Sequence, residues 1–566
     1  MKSIGTDEKK NRLFSKVHFL FIAGVFCYCG SLPPYGFWLL VFLVPVFWTF
    51  VIEHPKPICF RIIYFVTFCF WSMVLLGGII CSHQLTVLVL LLFAAYLSIY
   101  WSLFVYASRI AVCRFGIPSV WAVPVCWIGC EYLRNHLFGG FSSFSLEHAL
   151  YSQPLLIQIA DIGGRYLVGG MIMLVGAGVA SGIRSLWKRE RSVKRYGWCF
   201  VAGFVFVATL GYGFFQTAGS HISQSNLTIA VLQGNIPLMY DDYQEQAVKA
   251  VKQFIDLTKK AAQNAQTEQQ PLDLIITPEA MASIRLLKYK PKLKPAEFDR
   301  WADHHVDYWE DRFVQLRTMV QRIGVPVLVG LLTFEFERPP KPKEFNSAML
   351  IDPKNDQTEY RYDKMRLLMV GEYVPFSQYL PKNSFLKALC PELECGTKPV
   401  VIPLDGGRVL LAVNICYEST LPHFIRNQIL TLKKQGQEPA ILVNMSNDAW
   451  FLFSQQIDQH FATHVFRAVE NRRPYVTSSN AGFSAIIDSR GVIQKIGKRR
   501  EAEVVTGSVS TMDYRTPVYH YIGDLPSMLC MLGVFVLIFM EWYKNGNILF
   551  TIKNSPYYLC KSPQSR

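Results

Sequence analysis

Charge is what this chain has least of. Asp, Glu, Lys and Arg make up 17% of its 566 residues, against about 25% in ordinary soluble domains, and the shortfall excludes a purely soluble enzyme of this length. No internal repeat or low-complexity stretch is present, which argues against a repeat array. His460 and His464 have an i, i+4 spacing, but no third ligand or HExxH pattern accompanies them, so no metal is implied. The N-terminus is basic and then apolar yet lacks a small-x-small cleavage site followed by a soluble domain, so it reads as a retained first helix.

What the chain has instead is apolar sequence, 51% of the total. Runs approaching the roughly 20 residues of a bilayer span begin near Val17, Phe37, Ile62, Leu85, Val120, Tyr166, Trp198 and Leu525. These are eight candidate transmembrane helices. The net charge of +15 could signal nucleic acid, but its distribution says otherwise. The excess lies in the N-terminal tail, in residues 53–61, 108–117 and 184–195, and in the C-terminal tail. The opposite connections hold only Arg134 and Arg165 against Glu131, Glu147 and Asp161, and residues 216–524 are close to neutral. That is the positive-inside pattern. It places both termini in the cytoplasm and the segment between the seventh and eighth helices outside, and it makes a nucleic-acid partner improbable.

Residues 1–216 thus read as seven membrane helices, with one longer outer loop over residues 132–164. This loop fits a re-entrant or interfacial segment, and also a lipid-access surface. From Asn226 the pattern changes to short β-branched runs alternating with amphipathic stretches. LTIAVLQ, LDLIITPE, VPVLVGLLTF, SAMLID, RVLLAVNIC, AILVNMS, YVTSSN and SAIIDS are expected strands. DDYQEQAVKAVKQFIDLTKKAA places Ala247, Val248, Val251, Phe254 and Ile255 on one helical face, and a second long helix is expected over residues 296–324. This alternation implies one sizeable α/β domain over residues 217–524, with residues 525–566 forming a last membrane helix and tail. Several runs end in polar residues: Glu279, Cys416, Asn447 with Asp448, and Asn480. Ligands gather at strand C-terminal ends in α/β sheets, so these termini point to one site.

Three cysteines of the 14 fall in that segment, Cys390, Cys395 and Cys416. The first two are close enough in CPELEC to permit a local disulfide. Cys416 is then a lone thiol, either an inert buried residue or a nucleophile. A free thiol has a pKa near ~8.5. An ammonium about 4 Å away contributes roughly 4 kcal/mol at an effective dielectric of ~20, equivalent to about three pKa units. Lys364 can supply that cation and then stabilise an oxyanion, while Glu279 can take the thiol proton. Residues alone reach only acyl transfer or amide hydrolysis.

The surrounding strings resemble the nitrilase superfamily, and within it the apolipoprotein N-acyltransferases. LQGNIP at 232–237, TPEAM around Glu279, FNSAML, YDK followed by VGEYVPF, NICYE, SNDAWF and QHFATHVFRAVENRRPYVTSSNAGFSAIID carry the likeness, in the superfamily's order Glu, Lys, Cys. Membrane helices on both sides distinguish the chain from soluble nitrilases. The resemblance implies a nitrilase-type αββα sandwich inserted before the last helix of an eight-helix bundle, with Glu279, Lys364 and Cys416 as catalytic triad. Glu372, Tyr417 and Glu418 fall on supporting positions, though Glu372 also fits a cap or a pair with Arg366, and Tyr417 plain packing. It further implies a phospholipid acyl donor, a diacylated apolipoprotein acceptor in the bacterial inner membrane, and no cofactor. With water in place of the amine, the same site would be a membrane-tethered amidohydrolase. The chain departs from the family pattern over Arg366, Leu367, Leu368, Met369 and Val370, and at Leu452 and Phe453. Met365, Leu367, Leu368, Met369 and the WFLF run are costly to expose to water, so they either pack in the core or face lipid.

Overall fold

The computed structural model describes residues 16–55, 58–77, 84–187, 193–218, 225–237, 243–280, 285–289, 306–336, 343–369, 371–374, 377–379, 381, 392–451, 454–511 and 515–545. Cys390, Val370, Leu452, Phe453 and residues 296–305 of the second expected helix lie outside them. The chain divides into two compact units. One gathers the described residues up to Leu137, Phe144–Phe215 and those from Asp524 on; the other combines Phe138–Ser143 with Gln216–Gly523.

The first unit is helical. Every apolar run picked out above is helical: α1 Lys16–Ser31, α2 Leu43–Ile52, α3 Phe60–Leu76, α4 Gln84–Arg109, α5 Ser119–His136, α6 Ala160–Trp187, α7 Val193–Ala218, and a closing helix Leu525–Asn545. Among the described residues, Val87–Arg114, Ala160–Trp187, Tyr196–Ala218 and Leu525–Lys544 are long and apolar enough to cross a membrane. Where α1, α2 and α4 meet, the core is aromatic: the Trp101 ring lies 4.8 Å from the Tyr28 ring and 5.2 Å from that of Trp48. The outer loop is shorter than expected, because α5 runs on to His136 and α6 begins at Ala160, breaks at Gly163 and Gly164, and then continues.

The charges assigned above to connections are a second correction. Glu131 and Arg134 lie inside α5 and Arg165 inside α6, all buried. Arg134 donates to both Glu131 carboxylate oxygens at 3.0 and 2.6 Å, and Arg165 donates to Glu147. The Ser145 hydroxyl oxygen accepts from Arg134 at 2.7 Å and from Arg165 at 2.5 Å. Pairing is what makes such burial tolerable, and a hydropathy reading cannot see it.

The second unit is built on two sheets. One has the order β13-β1-β2-β4-β5-β6, with β3 also paired to β4; the other runs β12-β11-β10-β9-β8-β7. The strands are β1 Ser225–Gln233, β2 Leu274–Ile276, β3 Arg285–Tyr289, β4 Val327–Phe336, β5 Lys343–Asp352, β6 Asn355–Asp363, β7 Val401–Leu404, β8 Val409–Ile415, β9 Ile441–Ser446, β10 Tyr475–Ser479, β11 Ala485–Ile487, β12 Ile493–Ile496 and β13 Glu503–Thr511. Ile229, Val231, Ile276, Val413, Ile415, Val443 and Val476 fill the space between the sheets. On the outer face of the first sheet, α8 Tyr243–Thr267 contributes Val251, Phe254, Leu257 and Ala261, and α9 Val306–Ile323 contributes Leu316, Met319 and Val320. Ala247 and Val248 have side chains outside the described set. Helices α10 Pro422–Lys434 and α11 Gln456–Asn471 accompany the second sheet, and every residue of α11 after Gln456 is buried. This is the αββα layering that two-faced burial of near-continuous apolar strands requires.

Strands β1, β2 and β4 are parallel; β5 is antiparallel to β4 and to β6, so β6 runs with the parallel set. In the other sheet β8, β9 and β10 are parallel. The residues following β2, β6, β8 and β9 are those expected to form the site.

Candidate active site

Glu279 sits in the turn after β2. Gly330 of β4 makes room for that turn, since a Cβ there would lie 2.2 Å from the Pro278 carbonyl oxygen and 2.9 Å from the Glu279 Cα. The Glu279 carboxylate accepts from Lys364 Nζ at 3.0 Å, Asn346 Nδ2 at 2.7 Å and the Asn447 N–H at 2.9 Å. Lys364 follows β6 and is 1% exposed; its own N–H donates to the Asn346 carbonyl at 2.8 Å. Its ammonium also reaches Glu372 Oε1 at 2.7 Å. Glu372 accepts in addition from Asn346 Nδ2 at 3.3 Å and from the Leu368 N–H at 2.7 Å. It therefore belongs with Lys364, and the pairing with Arg366 does not form. Asn346 was missed above; a buried-strand asparagine within the FNSAML string of β5 was the available signal.

Cys416 follows β8 and opens the turn Cys416–Thr420 with φ +49°. A non-glycine residue there costs on the order of 1–2 kcal/mol, a strain that presents a side chain at a strand-to-helix elbow. Its Sγ feels Glu279, Lys364 and Asp448, with the Ser446 hydroxyl close by. Burial and then the Glu279 carboxylate push the thiol well above its ordinary pKa, and Lys364 and Ser446 only partly offset them. This overturns the expectation of a thiolate made by Lys364 at rest. The ammonium is already balanced by two carboxylates, which hold it well above the lysine range in spite of burial. The resting pair is a neutral thiol and a charged lysine.

Glu418 is buried and ties the cysteine turn to the lysine loop. It accepts from the N–H groups of Ile415, Met365 and Arg366 at 2.7, 2.7 and 2.9 Å, and from the Tyr362 hydroxyl at 2.9 and 2.8 Å. Burial pushes its carboxyl up to about 7 although these donors and Lys364 oppose the rise. The Tyr417 hydroxyl lies 2.6 Å from the carbonyl oxygens of both Gly139 and Gly140, and Ser142 Oγ donates to the Thr420 carbonyl at 2.5 Å. Residues Phe138–Ser143 thus fold with this unit, which neither reading of the outer loop anticipated. Met365 packs on the sandwich core and Leu367 is buried, so packing prevails over lipid exposure for those two, whereas Trp450 is 48% exposed.

His460 and His464 are committed to hydrogen bonds. His460 Nδ1 meets Asp448 Oδ1 at 2.9 Å and its Nε2 meets Ser419 Oγ at 2.8 Å; His464 Nε2 lies 3.2 Å from the same hydroxyl.

A two-sheet sandwich carrying glutamate, lysine and cysteine at strand ends has the architecture of a nitrilase-type carbon–nitrogen hydrolase, and residues 228–516 match the family described as carbon-nitrogen hydrolase. Residues 23–178 match a second description, the apolipoprotein N-acyltransferase N-terminal domain. The apolipoprotein N-acyltransferase of Geobacter metallireducens is 30% identical over 79% of this chain and 79% of its own length. That of Rhodopirellula baltica is 26% identical over 90% of this chain and 94% of its own. The chain belongs to the apolipoprotein N-acyltransferase family.

Proposed function

We propose that this chain acylates lipoproteins at their N-terminus through a thioester on Cys416. The observation that carries the reading is the Lys364 ammonium held between Glu279 and Glu372 beside a neutral, strained cysteine. A neutral thiol needs a base at the moment of attack, and Glu279 is placed to be that base. In the first half-reaction Glu279 takes the Sγ proton while sulfur attacks the ester carbonyl of a membrane phospholipid. Lys364 stabilises the oxyanion. The tetrahedral intermediate collapses with cleavage of the C–O bond, and the proton passes from Glu279 to the departing lysophospholipid. In the second half-reaction the free α-amine of an S-diacylglyceryl cysteine attacks the thioester. Its proton goes to Glu279 and then to the leaving sulfur, leaving an amide and a restored thiol.

Glu372 holds Lys364 in place, Glu418 fixes the cysteine turn against the lysine loop, and Tyr417 fastens residues 138–143 beside the nucleophile. The apolar helices and the distribution of basic residues support seven spans within residues 1–216, an extracytoplasmic catalytic domain over 217–524, and a final span with a cytoplasmic tail over 525–566. Both termini are then cytoplasmic and the catalytic domain periplasmic.

The test is intact-protein mass spectrometry of the purified chain incubated with phospholipid alone. One acyl adduct, released by hydroxylamine and passed to an added diacylated lipopeptide, is expected, and none in Cys416→Ala. An adduct that discharges to water at the same rate with and without the lipopeptide would make the chain an amidohydrolase-like enzyme instead.

A further inference from the structure

The mechanism above uses no histidine, yet a buried His–Asp pair stands directly behind the nucleophile. Asp448 follows β9 at the start of the turn Asp448–Phe451, and His460 comes from α11; both are buried. The Asp448 carboxylate accepts from Ser446 Oγ at 3.0 Å and from Ser479 Oγ at 2.7 Å besides His460 Nδ1. Gly482 is needed for that fit, since a Cβ there would stand 2.2 Å from Asp448 Oδ2.

On its other side the histidine meets the nucleophile's own backbone. His460 Nε2 lies 3.2 Å from the Cys416 carbonyl oxygen. The same oxygen accepts from Ser419 Oγ at 2.9 Å and from Asn444 Nδ2 at 3.3 Å. A donor inventory settles the protons. A carboxylate only accepts, so Nδ1 carries a hydrogen. With the one Ser419 hydroxyl hydrogen spent on the Cys416 carbonyl, Nε2 also donates. His460 is then an imidazolium; burial works against that charge, but Asp448 lifts its pKa above the ordinary value. His464, one turn further on, is held neutral by burial and by the His460 charge.

In a planar trans peptide the C=O and N–H point to opposite sides. Whatever fixes the Cys416 carbonyl therefore fixes the direction of the Tyr417 N–H. The N–H after a nucleophile on a strand-to-helix elbow is well placed to serve an oxyanion. We propose that Asp448 and His460 are positioning residues for the acyl-transfer reaction, clamping the Cys416 carbonyl so that the Tyr417 N–H is aimed at the oxyanion. The inference rests on Cys416 being the nucleophile.

The test uses the full-length enzyme in detergent with phosphatidylethanolamine and a diacylated lipopeptide. His460→Asn keeps a polar group near Nδ1 but does not reach the Cys416 carbonyl, and its kcat is expected to fall about 10- to 100-fold, a part of what loss of a whole oxyanion donor costs. KM and the rate of Cys416 alkylation by iodoacetamide stay within roughly threefold, because displacement at a saturated carbon develops no oxyanion. His460→Gln, with a donor near the Nε2 position, recovers most of the loss. Asp448→Asn lowers kcat in the same way while alkylation holds or rises, because it also removes a carboxylate that lifts the thiol, and it carries the test if His460→Asn does not fold. Unchanged kcat in His460→Asn or Asp448→Asn, or alkylation falling in step with kcat, would overturn the clamp. Transfer surviving in Cys416→Ala would instead remove the reading beneath it.

Discussion

In the helical unit Glu131, Glu147, Arg134 and Arg165 bury two charges of each sign, and every guanidinium has a carboxylate of its own. In the catalytic unit one ammonium, Lys364, serves both Glu279 and Glu372, with the buried Glu418 nearby. The first arrangement is balanced, one carboxylate to each guanidinium. The second has more carboxylate than cation. Burial and then Glu279 lift the thiol of Cys416, while Glu279 and Glu372 lift the ammonium of Lys364 against burial, so both groups carry their protons at rest. A buried ionic cluster is therefore structural or chemical according to its charge count, and burial alone does not tell which.

The most damaging way to disturb that contrast is Lys364→Met, which leaves two carboxylates facing each other and the oxyanion without its cation. Acyl transfer by the folded fraction is expected to fall about 10³-fold or more, alongside a destabilisation of about 3–5 kcal/mol from the two stranded carboxylates; normal turnover would refute the electrostatic role. Arg165→Met is the counterpart in the balanced cluster. It strands Glu147 in an apolar bundle and should destabilise the chain by about 3–5 kcal/mol, read from chemical or thermal unfolding, while the alkylation rate of Cys416 in the surviving folded fraction is unchanged. If turnover fell without loss of stability, the quartet would not be structural.

A smaller effect separates the units by pH. Burial holds His464 well below its ordinary pKa, and burial together with Arg473, Arg426 and Lys433 holds His520 at about 3. Unfolded, both take up protons near pH 6.5, so the stability they confer is complete above that value and is lost as pH falls below it. Each group contributes about 1.4 kcal/mol per pH unit at most; about 2 kcal/mol from the two histidines is expected to be lost between pH 6.5 and 5.5, offset by about 1 kcal/mol gained as Glu418 takes up its proton in the folded state. Hydrogen exchange should show the loosening in the amides of α11 and β10; acid loosening confined to the helical unit would contradict the assignment.

The parts legible in the sequence were those buried on both sides. Strands β1, β2, β4, β5, β8, β9, β10 and β11 stand out as apolar or β-branched runs. β6, β7, β12 and β13 are sheet edges, and β3 pairs only with β4. An edge strand needs no continuous apolar run: β6 reads NDQTEYRYD, β7 contains Pro403, and β12 is mostly exposed. The same logic governs the site. Glu279, Lys364, Cys416, Glu372 and Glu418 announce themselves through motif strings and strand ends, and the structure brings them together. Asp448 shows only as a polar strand end, and Asn346 and His460 lie in motif strings without standing out; what they bond to, and the role of segment 138–143, do not show, because hydrogen bonds between residues distant in the chain leave no periodicity. The protonation of Cys416 was misjudged for a related reason. A nearby cation can be inferred from a motif, but the carboxylates that neutralise it depend on distances.

The central claim is that the unbalanced cluster keeps Cys416 as a thiol until substrate arrives. Its most direct test is the pH dependence of Cys416 alkylation by iodoacetamide in the resting enzyme, followed by peptide mass spectrometry. The rate should keep climbing beyond pH 9 without a plateau, and Glu279→Gln should move the rise to lower pH because it removes a carboxylate that lifts the thiol. A plateau already reached near pH 7, as for a thiolate held by Lys364, would contradict the account.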